Sequence, residues 1–252
     1  MSTSTPQYQQ PKSGPNTGIV VAVIVVSALA CLFVCGGIMA GLLLPAVSSG
    51  REAARRMQCS NNIKQLALAL HNYESQYRSL PPAYTVDANG NRLHSWRTLI
   101  LPYMEEGATY QRIDFTKAWD DPANAFLVDL DVPGYRCPSS RIAPGMTTYQ
   151  VIDDPASAFP GSDSVQFRDI HDGLSNTVFI VETDESDAVH WAQPNDQNLL
   201  VYLSALKSSH NGGRNVAMGD GSVQFLSNKI DTSVSQAIVT CKGGEIVNMD
   251  LF

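Results

Sequence analysis

The chain has 252 residues, a formal net charge of −7 and only 16% charged residues. The acidic balance has no basic stripe to offset it and argues against a nucleic-acid binder. Five cysteines occur without a CxxC pair, so spacing does not point to zinc, and about 200 residues past the first 50 suffice for one well-buried domain.

Residues 1–17 are rich in Ser, Thr, Pro and Gln and carry one charge, Lys12. Such a segment cannot bury a core and reads as a disordered polar tail. Residues 18–44 follow without a single charge, and fifteen of them are Ile, Val, Leu or Phe. A helix of that length reaches about 40 Å, more than the roughly 30 Å hydrocarbon core requires. The fifteen apolar side chains favour insertion by about 5–9 kcal/mol. A transmembrane helix is expected over 18–44. The stretch "SALAC" at 27–31 faintly resembles a lipoprotein cleavage site, but the residues after Cys31 stay apolar where a lipidated cysteine is normally followed by a polar tether. An uncleaved anchor is therefore expected. Lys12 flanks one side, and Arg51, Arg55 and Arg56, offset by Glu52, flank the other. Taken alone, that asymmetry would place the C-terminal domain in the cytoplasm.

Residues 45–80 read as an amphipathic stalk helix. Met57, Ile63, Leu66, Ala67, Leu70, Tyr73 and Tyr77 fall near one face, with Arg56, Asn62, Lys64 and Gln65 on others. The helix should end before Pro81-Pro82. Its apolar stripe needs a partner, which residues 81–252 must supply as a head domain.

In the head, 94–112 reads as a helix or two broken at Pro102, and 122–129 as a short helix that Asp120-Asp121 would cap. Short β-branched or aromatic runs follow at 135–137, 147–152, 164–170, 176–182, 188–192, 215–218 and 222–226. Gly219-Asp220-Gly221 joins the last two as a hairpin loop. A helix at 231–241 should end at Gly243-Gly244. A long helix packed on an antiparallel sheet is an α+β arrangement.

Several ordered motifs carry a family resemblance. The stretch "LLLPAVSSGREAARRMQCSNNIKQLALALHNYESQYRSLPPAY" is one; "SWRTLILPYMEEGATYQRIDF", "WDDPAN", "YRCPSS" and "DGLSNTVFIVE" are others, and "HNGGRNVAMGDGSVQFLS" and "GGEIV" close the series. Together they resemble the bacterial pilin-like family called domain of unknown function 1559, the prepilin-type H-X9-DG family. The resemblance implies a pilin- or pseudopilin-like fold with the tail inside and the head extracytoplasmic, against the local arginine count. It implies membrane lipid as a partner, and like subunits or a secretion-type assembly. The chain departs from the pilin pattern at its start: no basic pair precedes residue 18, and no Glu follows within the apolar run. Processing and orderly filament assembly are not implied for it; a static anchored relative of pseudopilins is.

His210 precedes Asp220 by ten residues. A catalytic reading pairs them beside Ser209 or Ser222, but no G-x-S-x-G elbow or oxyanion-hole motif is present. The structural reading makes His210, Gly219, Asp220 and Gly221 a motif in which Asp220 accepts backbone N–H groups and His210 docks on the hairpin base. No catalytic residue is assigned and no enzyme is expected. No cofactor is called for; calcium is the candidate metal, with Asp153, Asp154, Asp163, Asp169, Asp172, Asp184, Glu185 and Asp187 as scattered oxygen donors but no D-x-D-x-D-G loop. An extracytoplasmic head would let Cys59 on the helix bond Cys137 of "RCPSS", leaving Cys241 as a buried apolar residue. The expected function is a non-enzymatic, membrane-anchored, pilin-like envelope protein in structural or secretion-type assembly. The alternative is an anchored solute- or carbohydrate-binding protein, in which Trp96, Trp119 and Trp191 would line a stacking groove.

Overall fold

The computed structural model describes residues 17–204 and 210–244. The polar tail read over 1–17 (save Thr17), Ser209 of the catalytic reading and most of the "GGEIV" stretch lie outside them. The chain divides into two compact units, Met1–Arg51 and Glu52–Phe252. Helix α1, Thr17–Tyr77, contributes to both.

In the first unit, Gly18–Met39 has mean hydropathy 3.0 and none of it is buried. A helix that is apolar on every side with nothing packed on it suits hydrocarbon rather than water. This run is one helix long and apolar enough to cross a membrane.

In the second unit, α1 buries a stripe of Cys59, Ile63, Leu66, Ala67 and Leu70. The steps of four, three, one and three residues are those of a single helix face. Met57 was expected on this face but is 63% exposed. Six residues separate it from Ile63, which turns it about 120° off the stripe, and Cys59 takes the place instead. Tyr77 is also exposed, although Tyr73 stacks on it with ring centroids 4.4 Å apart.

The partner of the stripe is a four-stranded antiparallel sheet. Its strands are β4 (Tyr149–Gln150), β5 (Val178–Glu182), β7 (Gly213–Met218) and β8 (Val223–Ser227), in the order β4-β5-β7-β8. Ile180 and Ala217 face the α1 side, sharing a core with Ile63, Leu66 and Leu70. Val181, Val216, Met218 and Leu226 face the other way, against Tyr202, Ile238 and Val239. Tyr202 lies on α4 (Leu199–Ser204), and Ile238 follows α5 (Thr232–Ala237). Strand alternation thus sorts two cores to the two faces. At a bulge between Val178 and Ile180, Phe179 joins the α1-side core.

Two smaller antiparallel pairs complete the head. They are β1 (Tyr84–Val86) with β2 (Arg92–Ser95), and β3 (Met146–Thr147) with β6 (Val189–His190). The helical reading of 94–112 resolves into α2 (Trp96–Leu99), a 3-10 turn at Leu101–Tyr103 and α3 (Gly107–Arg112). Ser95 caps α2 by accepting the Arg97 N–H, and Pro102 sits where the break was expected. Asp121 caps a 3-10 helix at Pro122–Leu127.

Two runs read as strands are not strands. Tyr135 ends the 3-10 turn Pro133–Tyr135, and 164–170 forms a 3-10 turn at Phe167–Asp169. Both carry apolar side chains that sit on the core, and Tyr135, Cys137 and Ile170 are buried. Period-two patterning does not distinguish a buried loop from a strand.

Candidate functional site

His210 and Asp220 stand at opposite ends of β7, whose six residues span about 20 Å. They do not form a pair. Asp220 is exposed in the β7–β8 turn, where its Oδ1 accepts the Ser222 N–H at 2.9 Å. The two glycines beside it are needed for different reasons. Gly221 has φ +83°, a conformation costly to any residue with a Cβ. Gly219 lies under Phe179, and a Cβ there would stand 2.7 Å from that ring.

His210 is buried at the entry to β7, and its surroundings come from three other segments. Nε2 is 3.2 Å from Glu182 Oε1, the last residue of β5. Nδ1 is 3.5 Å from Glu52 Oε1 on α1. Nε2 also lies 3.7 Å from Cys137 Sγ. Cys137 is bonded to Cys59, with an S–S distance of 2.08 Å and a sequence separation of 78.

The register explains how these groups meet. Glu182 is in phase with Ile180, so it points to the α1 side of the sheet, where Cys59 lies. Val181 pairs with Val216, which sets Asn215 across from Glu182, and Asn215 Nδ2 donates to Glu182 Oε2 at 2.7 Å. Glu182 is 0% exposed. A carboxylate so placed needs hydrogen bonds or a cation, and Asn215 and His210 provide them. Across β4, Tyr149 pairs with Glu182 and its hydroxyl donates to the Cys59 carbonyl at 3.4 Å.

Electrostatics favour a charged imidazole. Burial pushes the His210 value down, but the hydrogen bonds and charges of Glu182 and then Glu52 outweigh it, so the net shift is upward. The Glu52 carboxyl is held low, chiefly by the Arg55 guanidinium at 2.8 Å, and also by Ser139 and His210.

A second buried ionic group lies elsewhere in the head. Arg97 and Asp196 pair at 2.7 Å with side chains 0% and 2% exposed. Arg97 also donates to the carbonyls of Trp191, Tyr149, Gln193 and Asn195. Asp196 accepts from the Trp96 indole and the Val151 N–H. With its donors spread over β4 and the segment 191–196, Arg97 works as an internal clamp.

The other predicted residues do not converge. Trp96 and Trp191 are core residues, and Trp119 stacks on His190 at 4.7 Å, so the three line no common groove. Asp154 and Asp184 each accept a backbone N–H two residues on. Asp172 accepts from Gly243 and Gly244, Glu185 accepts from Arg141, and Asp153 pairs with Arg92. These carboxylates serve turns and loop ends. Among the described residues, the one group with metal-ligand geometry is Cys59, Cys137, Glu182 and His210. Glu52, Glu182, Arg97 and Asp196 were not singled out from sequence; a Glu closing the apolar run "VFIVE" was the available signal for Glu182.

The fold is that of an α+β protein of pilin-like type, with an N-terminal apolar helix and antiparallel sheets. The chain belongs to the family described as "Protein of unknown function (DUF1559)", whose model matches residues 48–164 and 195–233. No curated protein and no solved structure matches it. Family membership and the apolar helix together support a membrane-anchored envelope protein.

Proposed function

We propose that this chain is a non-enzymatic, single-pass, pilin-like protein of the cell envelope, with its head outside the cytoplasm. Its work is interaction, through like subunits or a secretion-type assembly. The observation that carries the reading is the Cys59–Cys137 bond, which ties α1 to the head. Such bonds persist in oxidising compartments and are rare in the cytoplasm. Membrane attachment draws its support from the 22-residue apolar run Gly18–Met39.

The non-enzymatic part rests on what faces His210. Among the described residues its nitrogens meet two carboxylates and a sulfur already bonded to another sulfur. These groups hold a charge on the ring and tie it to α1 and β5. Asp220, the natural catalytic partner by sequence, is at the far end of the strand.

The test is protease accessibility of the head in intact cells and in inverted membrane vesicles, with amino-terminal sequencing of the mature chain. The reading expects a head cut from outside and an intact apolar run in the membrane fraction. A head cut only in inverted vesicles, or a mature chain beginning beyond residue 44 and free of membrane, overturns it.

A further inference from the structure

Cys59, Cys137, Glu182 and His210 are all buried, and their ligand atoms lie within 4.8 Å of one another. A structural disulfide needs neither an imidazole nor a carboxylate beside it, yet both are here and both are held in place. We propose that the head carries a Zn2+ site that is closed while Cys59 and Cys137 are bonded and open when they are reduced. Its ligands are the two thiolates, His210 Nε2 and Glu182 Oε1.

Distances carry the inference. With Zn–S near 2.3 Å and Zn–N or Zn–O near 2.0–2.1 Å, a tetrahedral site has an N–O edge of about 3.3 Å and an N–S edge of about 3.6 Å. His210 Nε2 is 3.2 Å from Glu182 Oε1 and 3.7 Å from Cys137 Sγ. Two edges of the tetrahedron already have the lengths a zinc ion would impose. The sulfur–sulfur edge is the one the covalent bond closes, and reduction releases it.

The groups behind the ligands fit as well. Asn215 Nδ2 holds Glu182 Oε2 at 2.7 Å and leaves Oε1 for the ring and the sulfurs. Glu52 Oε1 stands 3.5 Å behind His210 Nδ1, the carboxylate–imidazole arrangement that orients metal-bound histidines. Two thiolates with an imidazole select a soft or borderline ion over calcium or magnesium. No CxxC signals the site, because its ligands come from four separate segments.

The chemistry balances with a dithiol as reductant. Two electrons and two protons pass from the dithiol to the Cys59–Cys137 bond, leaving two thiols and oxidising the dithiol to a disulfide. Binding of Zn2+ then releases to solvent the two thiol protons and, where the imidazole is charged, the proton on His210 Nε2. Every newly made chain passes through the reduced state, so the site is open before the bond forms.

The test uses the full chain in detergent micelles with Cys31, Cys35 and Cys241 changed to Ala, so that Cys59 and Cys137 are the only thiols. After anaerobic reduction and removal of the dithiol, Co2+ is titrated as the spectroscopic probe. The proposal expects one equivalent bound, with sulfur-to-cobalt charge-transfer and tetrahedral ligand-field bands, displaced by Zn2+ and absent from the oxidised chain. His210→Ala should weaken binding by at least about tenfold, and Glu52→Gln by about tenfold. His210→Cys, which exchanges one ligand for another, should keep the bands. A reduced chain without thiolate–cobalt bands overturns the proposal, as does unchanged affinity in a folded His210→Ala chain. X-ray absorption of the zinc-loaded parent decides even where that variant does not fold. Two sulfur and two nitrogen or oxygen neighbours are expected, and any other set overturns the assignment.

Discussion

Glu182 Oε1 lies 3.2 Å from His210 Nε2, on a face of the sheet where neither side chain reaches solvent. The pairing links the end of β5 to the start of β7 and sets both against the disulfide. It is an energetic unit that Asp220 does not share, and double-mutant cycles can show this. His210→Ala should cost about 3–5 kcal/mol, because a buried carboxylate loses its cation. The cycle between His210→Ala and Glu182→Gln should show coupling of about 1 kcal/mol or more. Asp220→Ala should cost about 1 kcal/mol or less and add to His210→Ala within about 0.5 kcal/mol. Strong coupling between 210 and 220 in urea denaturation would contradict this arrangement.

The oxidised chain should lose stability as pH rises from neutral. The folded His210 value is raised, by Glu182 on β5 and Glu52 on α1 acting against burial. Its stabilisation is therefore complete below the unfolded value of about 6.5 and disappears as pH climbs through the folded value. Glu52→Gln should shrink that loss. At the acid end the sign reverses for Glu52: its value is depressed, so its contribution fades as pH falls through the folded value. Denaturation midpoints across the range check both limbs.

Reduction of the Cys59–Cys137 bond, with no metal present, should lower stability by about 2–4 kcal/mol, since the bond closes a loop with a sequence separation of 78. Cys241→Ala should leave the difference between oxidised and reduced chains unchanged. That thiol is free, and burial pushes its value to about 12. Calorimetry with and without reductant reads both effects.

The β7–β8 turn should punish its two glycines differently. Gly221→Ala forces φ +83° on a Cβ-bearing residue and should cost about 1–2 kcal/mol. Gly219→Ala drives a methyl into Phe179 and should cost about 1–3 kcal/mol. Phe179→Leu should relieve part of the second cost and none of the first. Melting temperatures of the singles and doubles separate the two mechanisms.

Arg97→Met should destabilise the head by about 3–5 kcal/mol by stranding Asp196 in the core. Adding Asp196→Leu should recover a large part of that loss, because the stranded charge is then gone. If the double variant is no better than the single, the loop carbonyls that Arg97 gathers matter more than its ion pair.

Much of the architecture was legible because it rests on local signals. The uncharged run, the i, i+3, i+4 stripe at 63–70, the Pro102 break and the Asp121 cap each depend on residues a few positions apart. Side-chain period and backbone sterics act at that range, so composition and spacing reveal them. The misread runs at 135–137 and 164–170 show where the method stops: a loop lying on the core must be as apolar as a strand.

The amino-acid sequence determined an uncharged helix long enough for lipid, an amphipathic continuation, and a strand-rich remainder able to cover it. Only the tertiary structure decided what His210 is for. Its partners are 28, 73 and 158 residues away at Glu182, Cys137 and Glu52. Contact over such separations is fixed by sheet register and by helix docking. Asp220, ten residues off and suggestive on the page, is carried out of reach by the extended strand between them.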